Sequence, residues 1–418
     1  MIVIQNGTVL TGDGWAEVDV AISGGLIVGI GNDLEGGVVI DGSDCFVGPG
    51  FVDLHAHLRE PGQTWKEDVT SGSLSAAAGG FTAIVAMPNT DPPTDSPKVV
   101  ELVAALGADV GLVDVVPCGA LTIGRAGHVS SDLEALYRSG VRMFSDDGDS
   151  LENTELLREI MIVIAGLDGA VLAQHAENAL LTRGGHMHEG AVSRRLGVGG
   201  LPAEAEAEVV KRDLDLVRET GARYHCQHVS SKMTVAIVSA AKEEGLPVTA
   251  EVTPHHLSFT DEDVASLDTN FKMYPPLRSE SDRQALIDAL GDGTIDVVAT
   301  DHAPHQRDEK DAAFSEAPRG VIGLETAAAV VWDTLADPDA LFRVLSTKPA
   351  EIAGLSAHGG AIRVRNHANV VVFARNETWR ADSFRSKSAN SPYLGAEMTG
   401  RVKATIHEGI VTYQSGDK

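Results

Sequence analysis

The chain has 418 residues, 43% hydrophobic and only 5% aromatic, so an aliphatic core larger than one average domain is expected. A formal charge of −27 argues against nucleic acid or an anionic membrane surface as partner, and an anionic small substrate would need local cations to capture it. No window approaches ~18 consecutive apolar residues, MIVIQNGTVL lacks the pattern of a secretory signal, and Cys45, Cys118 and Cys226 are isolated; a reducing, cytoplasmic setting is expected.

Residues 1–48 read as short β-segments, IVIQNGTVL, AEVDVAISGGLIVGIG and GVVIDG, separated by Gly/Asp turns. From 49 the texture changes to alternation. Apolar strand candidates fall at 50–57, 81–87, 110–118, 141–145, 170–175, 222–228, 247–252 and 295–300. Helical stretches lie between them, for example at 131–139, 151–166, 203–220 and 231–244. Eight strand-then-helix units predict an α/β fold, a (β/α)8 TIM barrel, and the 49–355 span suits one with insertions. Residues 356–418 return to strands with ANVVVFA, RVKATIHEG and IVTYQ, so both ends are expected to build one small sheet domain.

The first barrel strand, GFVDLHAH, puts polar residues where an interior strand should be apolar. Side chains alternate along a strand, which predicts Asp53, His55 and His57 on one face, with Leu54 and Ala56 toward the outer helices. Other strands run out in FSDDG (144–148), AQHAEN (173–178), HCQHVS (225–230) and VATDHAPH (298–305). A barrel keeps its chemistry at the C-terminal ends of its strands, so His55, His57, Asp147, His175, His228 and Asp301 form a candidate ligand set. Imidazole and carboxylate suit Zn2+ or a similar ion. Six ligands exceed the need of one tetrahedral site, whereas two metals sharing a bridging carboxylate would use them all. Arg59, in LREPG beyond the histidine pair, is a local cation placed to fork onto a substrate carboxylate.

A lone histidine is more often a packed structural group, and that reading is kept for His128, His186, His188, His358, His367 and His407. His225 is expected to face the helices, and Cys226 to share the inward face with His228 as a packing residue. His255 and His256, beyond the seventh strand, are expected to support the site or the structure around it.

The segments PGFVDLHAHLREPG, AMPNTDPPTDSP, MFSDDG, AQHAEN, AEVTPHHL, YPPLR and ATDHAPH together resemble the motif series of class I dihydroorotases in the amidohydrolase superfamily, over nearly the whole chain. The resemblance implies a metal-bearing (β/α)8 barrel with a small β-sandwich from both termini. It implies reversible, zinc-dependent closure of N-carbamoyl-L-aspartate to (S)-dihydroorotate in pyrimidine biosynthesis. The six candidates above become ligands of two zinc ions, with Asp147 as the bridge, because FSDDG offers no lysine for the carboxylated bridge of hydantoinases, allantoinases and many other dihydroorotases. Asp301 is implied as the catalytic acid/base. The implied substrate contacts are His57, Arg59, Asn89, Asn270, His305, Arg319 and Gly320. Tyr274 in MYPPLR and Arg319 in APRG depart from the usual pattern. A homodimer and a complex with aspartate transcarbamoylase are the partners the family suggests. The rivals are a hydantoin or allantoin amidase, disfavoured by the missing lysine and by Arg59, and a non-catalytic partner of the transcarbamoylase, disfavoured because all six ligand candidates are present.

Overall fold

The computed structural model describes residues 1–416. The barrel strands are β1 (Phe51–Ala56), β2 (Phe81–Ala86), β3 (Asp114–Pro117), β4 (Met143–Phe144), β5 (Val171–Gln174), β6 (Tyr224–Cys226), β7 (Val248–Val252) and β8 (Val297–Val298). Parallel pairing runs β1–β2–β3 and β4–β5–β6–β7–β8, and bridges at Gly119–Phe144 and Ala56–His302 join the two runs into a ring. Each strand lies within its expected apolar run. β3 starts later than 110 because the preceding helix, Pro97–Val110, continues until Gly111 takes a left-handed φ of 65° and its N–H bonds back to Gly107.

Helix-facing residues such as Phe51, Ile84, Leu172, Tyr224 and Ala250 share one core with the helices. Inside the ring, Val52, Leu54, Val85, Met143, Val171 and Val297 meet Ile352 and Ala353 of the helix Lys348–Ala353. Each such buried aliphatic side chain contributes ~1.5–3 kcal/mol, so the lower barrel is a dry plug and polar side chains are left to the rim. No helix among the described residues is long and apolar enough to cross a membrane.

Strands from both ends of the chain form one sheet, in the order Ile410–Gln414, Glu397–His407, Val370–Arg380, Cys45–Pro49, Ile2–Thr11, Gly14–Ser23, Leu26–Gly31, with Val38–Asp41 beside Ile2–Thr11. It has its own core, including Ile4, Val20, Ile22, Val372 and Ile406. The strand Cys45–Pro49 crosses the 48/49 boundary drawn from the sequence. The sparse aromatic residues concentrate where this sheet meets the barrel: Trp15 lies 5.2 Å from Phe46 and 5.6 Å from Phe342, which lies 5.6 Å from Phe51.

Two face assignments need correction. The β1–β2 register slips between Asp53 and Ala56. Ahead of the slip Val52 and Leu54 point into the ring, and Asp53 turns to Thr300, accepting its N–H at 2.9 Å and its hydroxyl. The slip, a bulge-like irregularity, then brings His55 inward. In β6, Tyr224 and Cys226 pack toward the helices, while His225 sits 2.9 Å from Glu251 and 2.8 Å from Thr249. His228 lies past the strand at a φ of 31°, so alternation cannot be carried from Cys226 to it.

Candidate metal centre and substrate pocket

Five strand ends, those of β1, β4, β5, β6 and β8, deliver side chains to one point on the C-terminal rim. His55 and His57 present Nε2 at 3.2 and 3.4 Å from the two oxygens of Asp147. Asp147 also lies 3.8 Å from His175 Nδ1 and 3.7 Å from His228 Nε2. Asp301 sits 3.1 Å from His57 Nε2 and 3.5 Å from His55 Nε2. Two metal-compatible triplets result, His55–His57–Asp147 and Asp147–His175–His228, and Asp147 belongs to both. All six side chains are buried.

The outer ring nitrogens are engaged. His55 Nδ1 meets Glu251 Oε1 at 2.7 Å and His57 Nδ1 meets Asn89 Oδ1 at 2.8 Å, which leaves each Nε2 lone pair facing the centre. His55 Nε2 and Asp147 Oδ1 are buried without a hydrogen-bond partner, a costly state that a cation would relieve. The electrostatics agree. Burial opposes charge on His55, yet Asp147, Glu251 and Asp301 raise its pKa well above the ordinary value. Burial also opposes ionisation of Asp147 and Asp301, yet the imidazoles hold both carboxyls below the usual range. A cluster that attracts positive charge this strongly, with nitrogen and oxygen donors, fits a divalent ion such as zinc.

The backbone is strained in the same place. His228, Asp301 and Arg59 have φ values of 31°, 44° and 60°, a left-handed conformation that costs a non-glycine residue on the order of 1 kcal/mol or more.

Over the centre lies a cavity of about 280 Å³ whose lining includes His57, Arg59, Asn89, Asp301, His305, Arg319 and Gly320. Buried Arg59 donates Nε–H to the Pro304 carbonyl at 3.3 Å and has no ion-pair partner among the described residues, so its fork is available to a carboxylate. Burial, with Arg59, Lys66 and Lys310 nearby, lowers the His305 pKa to about 2, and its neutral ring sits 2.9 Å from the Arg319 carbonyl. Gly320 has a φ of 128°, and a Cβ there would come 2.8 Å from that of Ala303, so backbone and space both require glycine.

Asn270 is not among these residues. Its N–H bonds to Asp268 Oδ1 at 2.9 Å in the short turn Thr269–Phe271, and it lines a separate cavity with Thr269 and Lys310. Tyr274 is the residue of that segment that reaches the rim cavity. Its ring centre lies 5.3 Å from that of His175 and 3.8 Å from the Arg319 guanidinium carbon, so the two departures from the usual motif are stacked partners.

Sequence reasoning passed over Glu251, a lone carboxylate in the strand VTAEV and thus the same anomaly as in GFVDLHAH. It is fully buried, binds both His55 and His225, and accepts the His228 N–H at 3.1 Å. Burial opposes its ionisation, but the two imidazoles lower its pKa to about 2. Arg125, which donates to the Asp147 carbonyl at 2.6 Å, carried no signal in the sequence. His256 bonds Thr253 Oγ1 at 2.7 Å and the Pro275 carbonyl at 3.1 Å, bracing the turn that presents Tyr274.

Comparison with known proteins supplies the family. A model described as dihydro-orotase-like matches residues 45–234. The chain is 43% identical to the dihydroorotase of Caldanaerobacter subterraneus subsp. tengcongensis, over 100% of this chain and 98% of the relative. It is 45% identical to the dihydroorotase of Mycobacterium leprae, over 99% and 98%. Among solved structures it matches an L-hydantoinase (dihydropyrimidinase) from Arthrobacter aurescens with a TM-score of 0.88 at 26% identity, over 100% of this chain and 96% of that one. The fold is thus shared with a hydantoinase, while the full-length identity goes to dihydroorotases. The chain belongs to the dihydroorotase family and is a metal-dependent cyclic amide hydrolase.

Proposed function

We propose that the dihydroorotase reaction, reversible closure of N-carbamoyl-L-aspartate to (S)-dihydroorotate with loss of water, runs in the rim cavity. His55, His57, Asp147, His175, His228 and Asp301 would hold two zinc ions there, with Asp147 as the ligand expected to be shared between them. The observation behind this reading is the membership of Asp147 in both ligand triplets, directly under a cavity that also contains Arg59. When bound, such ions polarise a carbonyl oxygen and lower the pKa of water from ~15.7 to about 7.

The chain's own residues handle protons and position. In the hydrolytic direction Asp301, held ionised, takes the proton of the attacking water and passes it to the departing ring nitrogen. In the biosynthetic direction the same carboxylate moves the proton from the ureido nitrogen to the leaving water. Arg59 forks onto the substrate carboxylate, Asn89 and neutral His305 complete that contact, and the Arg319–Gly320 backbone meets the ring. The Arg59 charge offsets locally the repulsion of a chain carrying −27 toward an anion. On the same reading the catalytic barrel is 49–355, and 1–48 with 356–418, of which 417–418 lie outside the described residues, form the second domain.

Zinc content per chain, paired with dihydroorotate hydrolysis, tests the proposal. Two ions per chain are expected, with activity lost on chelation and restored by zinc. Full activity with a single ion would remove the bridged pair. Gel filtration with and without aspartate transcarbamoylase tests the expected homodimer and that complex, and cell fractionation tests the cytoplasmic location.

A further inference from the structure

The segment carrying Arg319 and Gly320 has no regular secondary structure, so its order must come from elsewhere. Two buried lysines supply much of it, beside Asn390, which donates Nδ2–H to the Gly320 carbonyl at 3.1 Å and accepts the His305 N–H at 3.1 Å. Lys310, 5% exposed at the end of the short helix Arg307–Lys310, points Nζ at the carbonyls of Gly320 at 2.9 Å, Pro318 at 3.1 Å and Lys272 at 3.3 Å. An ammonium has three N–H donors, and three carbonyls receive them. Lys272, also buried, donates its Nζ to the carbonyls of Phe314 and Ala317, and its own carbonyl accepts the Gly320 N–H at 2.9 Å. Gly320 is therefore gripped at both its N–H and its carbonyl. Next to it, the Arg319 carbonyl lies 2.9 Å from His305 Nε2, which links the gripped segment to the pocket.

Neither lysine has a carboxylate in ion-pair contact among the described residues, and a buried ammonium without one is costly. If only a packed loop were needed, an apolar side chain would fill the space more cheaply. The positive charge gains a purpose where an anion must be held behind His305. We propose that Lys310 is a positioning residue for substrate binding: its ammonium locks the 318–320 backbone against His305 and adds positive charge behind the carboxylate site. The inference rests on the reading of the pocket given above.

The charged groups around Lys310 are Lys272 and Asp268 from the 268–272 turn, and Arg307 and Asp311 along a cavity of about 390 Å³; the titratable His305 after β8 is neutral. Burial, then Lys272, lowers the Lys310 pKa to about 7, and burial with Arg319 lowers that of Lys272 to about 8. A neutral amine has two N–H donors for three carbonyls and no charge. Binding is therefore complete below this range and weakens as pH rises through it.

Lys310→Met keeps the stem and Lys310→Arg keeps the charge; both are compared with the parent in dihydroorotate hydrolysis, with zinc measured on each. Lys310→Met should raise KM about tenfold with kcat within about threefold and zinc unchanged, and Lys310→Arg should recover part of that loss. The parent's KM should rise from about pH 7 to 9 more steeply than that of Lys310→Arg, whose charge persists. In the parent alone, hydrogen exchange of residues 314–321, corrected for intrinsic rates, should lose protection over the same range; this decides the matter if the Met variant does not fold. An unchanged KM in Lys310→Met, a loss of kcat together with zinc, or protection independent of pH overturns the inference. A parent that does not hydrolyse dihydroorotate overturns the functional reading itself, and the inference with it.

Discussion

The two ends of the barrel use the same chemical groups in opposite arrangements. At the floor, Asp114, the first residue of β3, meets His358 Nε2 at 2.7 Å through one oxygen and His407 Nε2 at 3.3 Å through the other. His358 Nδ1 meets Thr82 Oγ1 at 3.0 Å. There His358 has a hydrogen-bonded oxygen, His407 Nε2 faces the other at 3.3 Å without a hydrogen bond, and the Asp114 side chain is 45% exposed, so water shares the charge. At the rim a single buried oxygen, Asp147 Oδ1, faces three ring nitrogens at 3.2, 3.7 and 3.8 Å. One acceptor cannot align with three donors. Histidine and aspartate content therefore says little by itself; convergence that exceeds what hydrogen bonding can satisfy is what marks a cation site.

The sharpest way to break this contrast is at Asp147. Asp147→Ala removes the shared ligand from both triplets, and because such ions supply several kcal/mol to the reaction, turnover should fall ~10³-fold or more along with the zinc content. Retention of both ions and activity would refute the bridge. Asp301→Asn comes next. It removes the proposed proton carrier and should lower kcat by ~10² to 10⁴ while substrate binding is partly kept, read by hydrolysis and by equilibrium binding. Full activity in that variant would end the proton-transfer role. A smaller effect is expected of Arg59→Met, which takes away the fork and keeps the stem: KM should rise ~10- to 100-fold with a lesser change in kcat. Unchanged kinetics there would show that the carboxylate is held by something else.

The contrast also explains which features could be read from the sequence. The eight strands were legible because buried parallel strands are apolar runs separated by helical segments, and the rim residues stood out because GFVDLHAH and VATDHAPH place charge in such runs. Which way a side chain points was less accessible. Alternation assumes an unbroken ladder, and the slip between Asp53 and Ala56 arises from pairing with β2, about 30 residues away, which one strand's sequence does not encode. Asn270 and Tyr274 sit four apart in an irregular segment, and the turn at 269–271 decides which of them reaches the pocket. Lys310, in the run RDEKD, has the look of a solvated surface residue; it is buried because the 269–272 turn and the 314–320 segment fold over it.

The smallest effect lies at the floor, and there the expectation is separation from catalysis. Asp114→Asn should leave zinc content, kcat and KM at parent values and lower stability by about 1 kcal/mol. Hydrogen bonds to a charged group are worth ~1.5–3 kcal/mol, and partial exposure of this carboxylate discounts that range. Burial opposes ionisation of Asp114, but its bond to His358 and the nearby His407 ring hold the carboxyl below its ordinary range. The unfolded chain thus binds this proton more readily than the folded one, so the stabilisation is complete above ~pH 5 and fades as pH drops through ~4 and below. Urea midpoints of parent and variant should accordingly differ at pH 7 and draw together toward pH 3.5. A gap independent of pH would mean that the carboxylate charge is not what the two imidazoles hold. Lower turnover per folded molecule at pH 7 would mean that floor and rim are coupled through the barrel plug, and the division of labour between them would have to be abandoned.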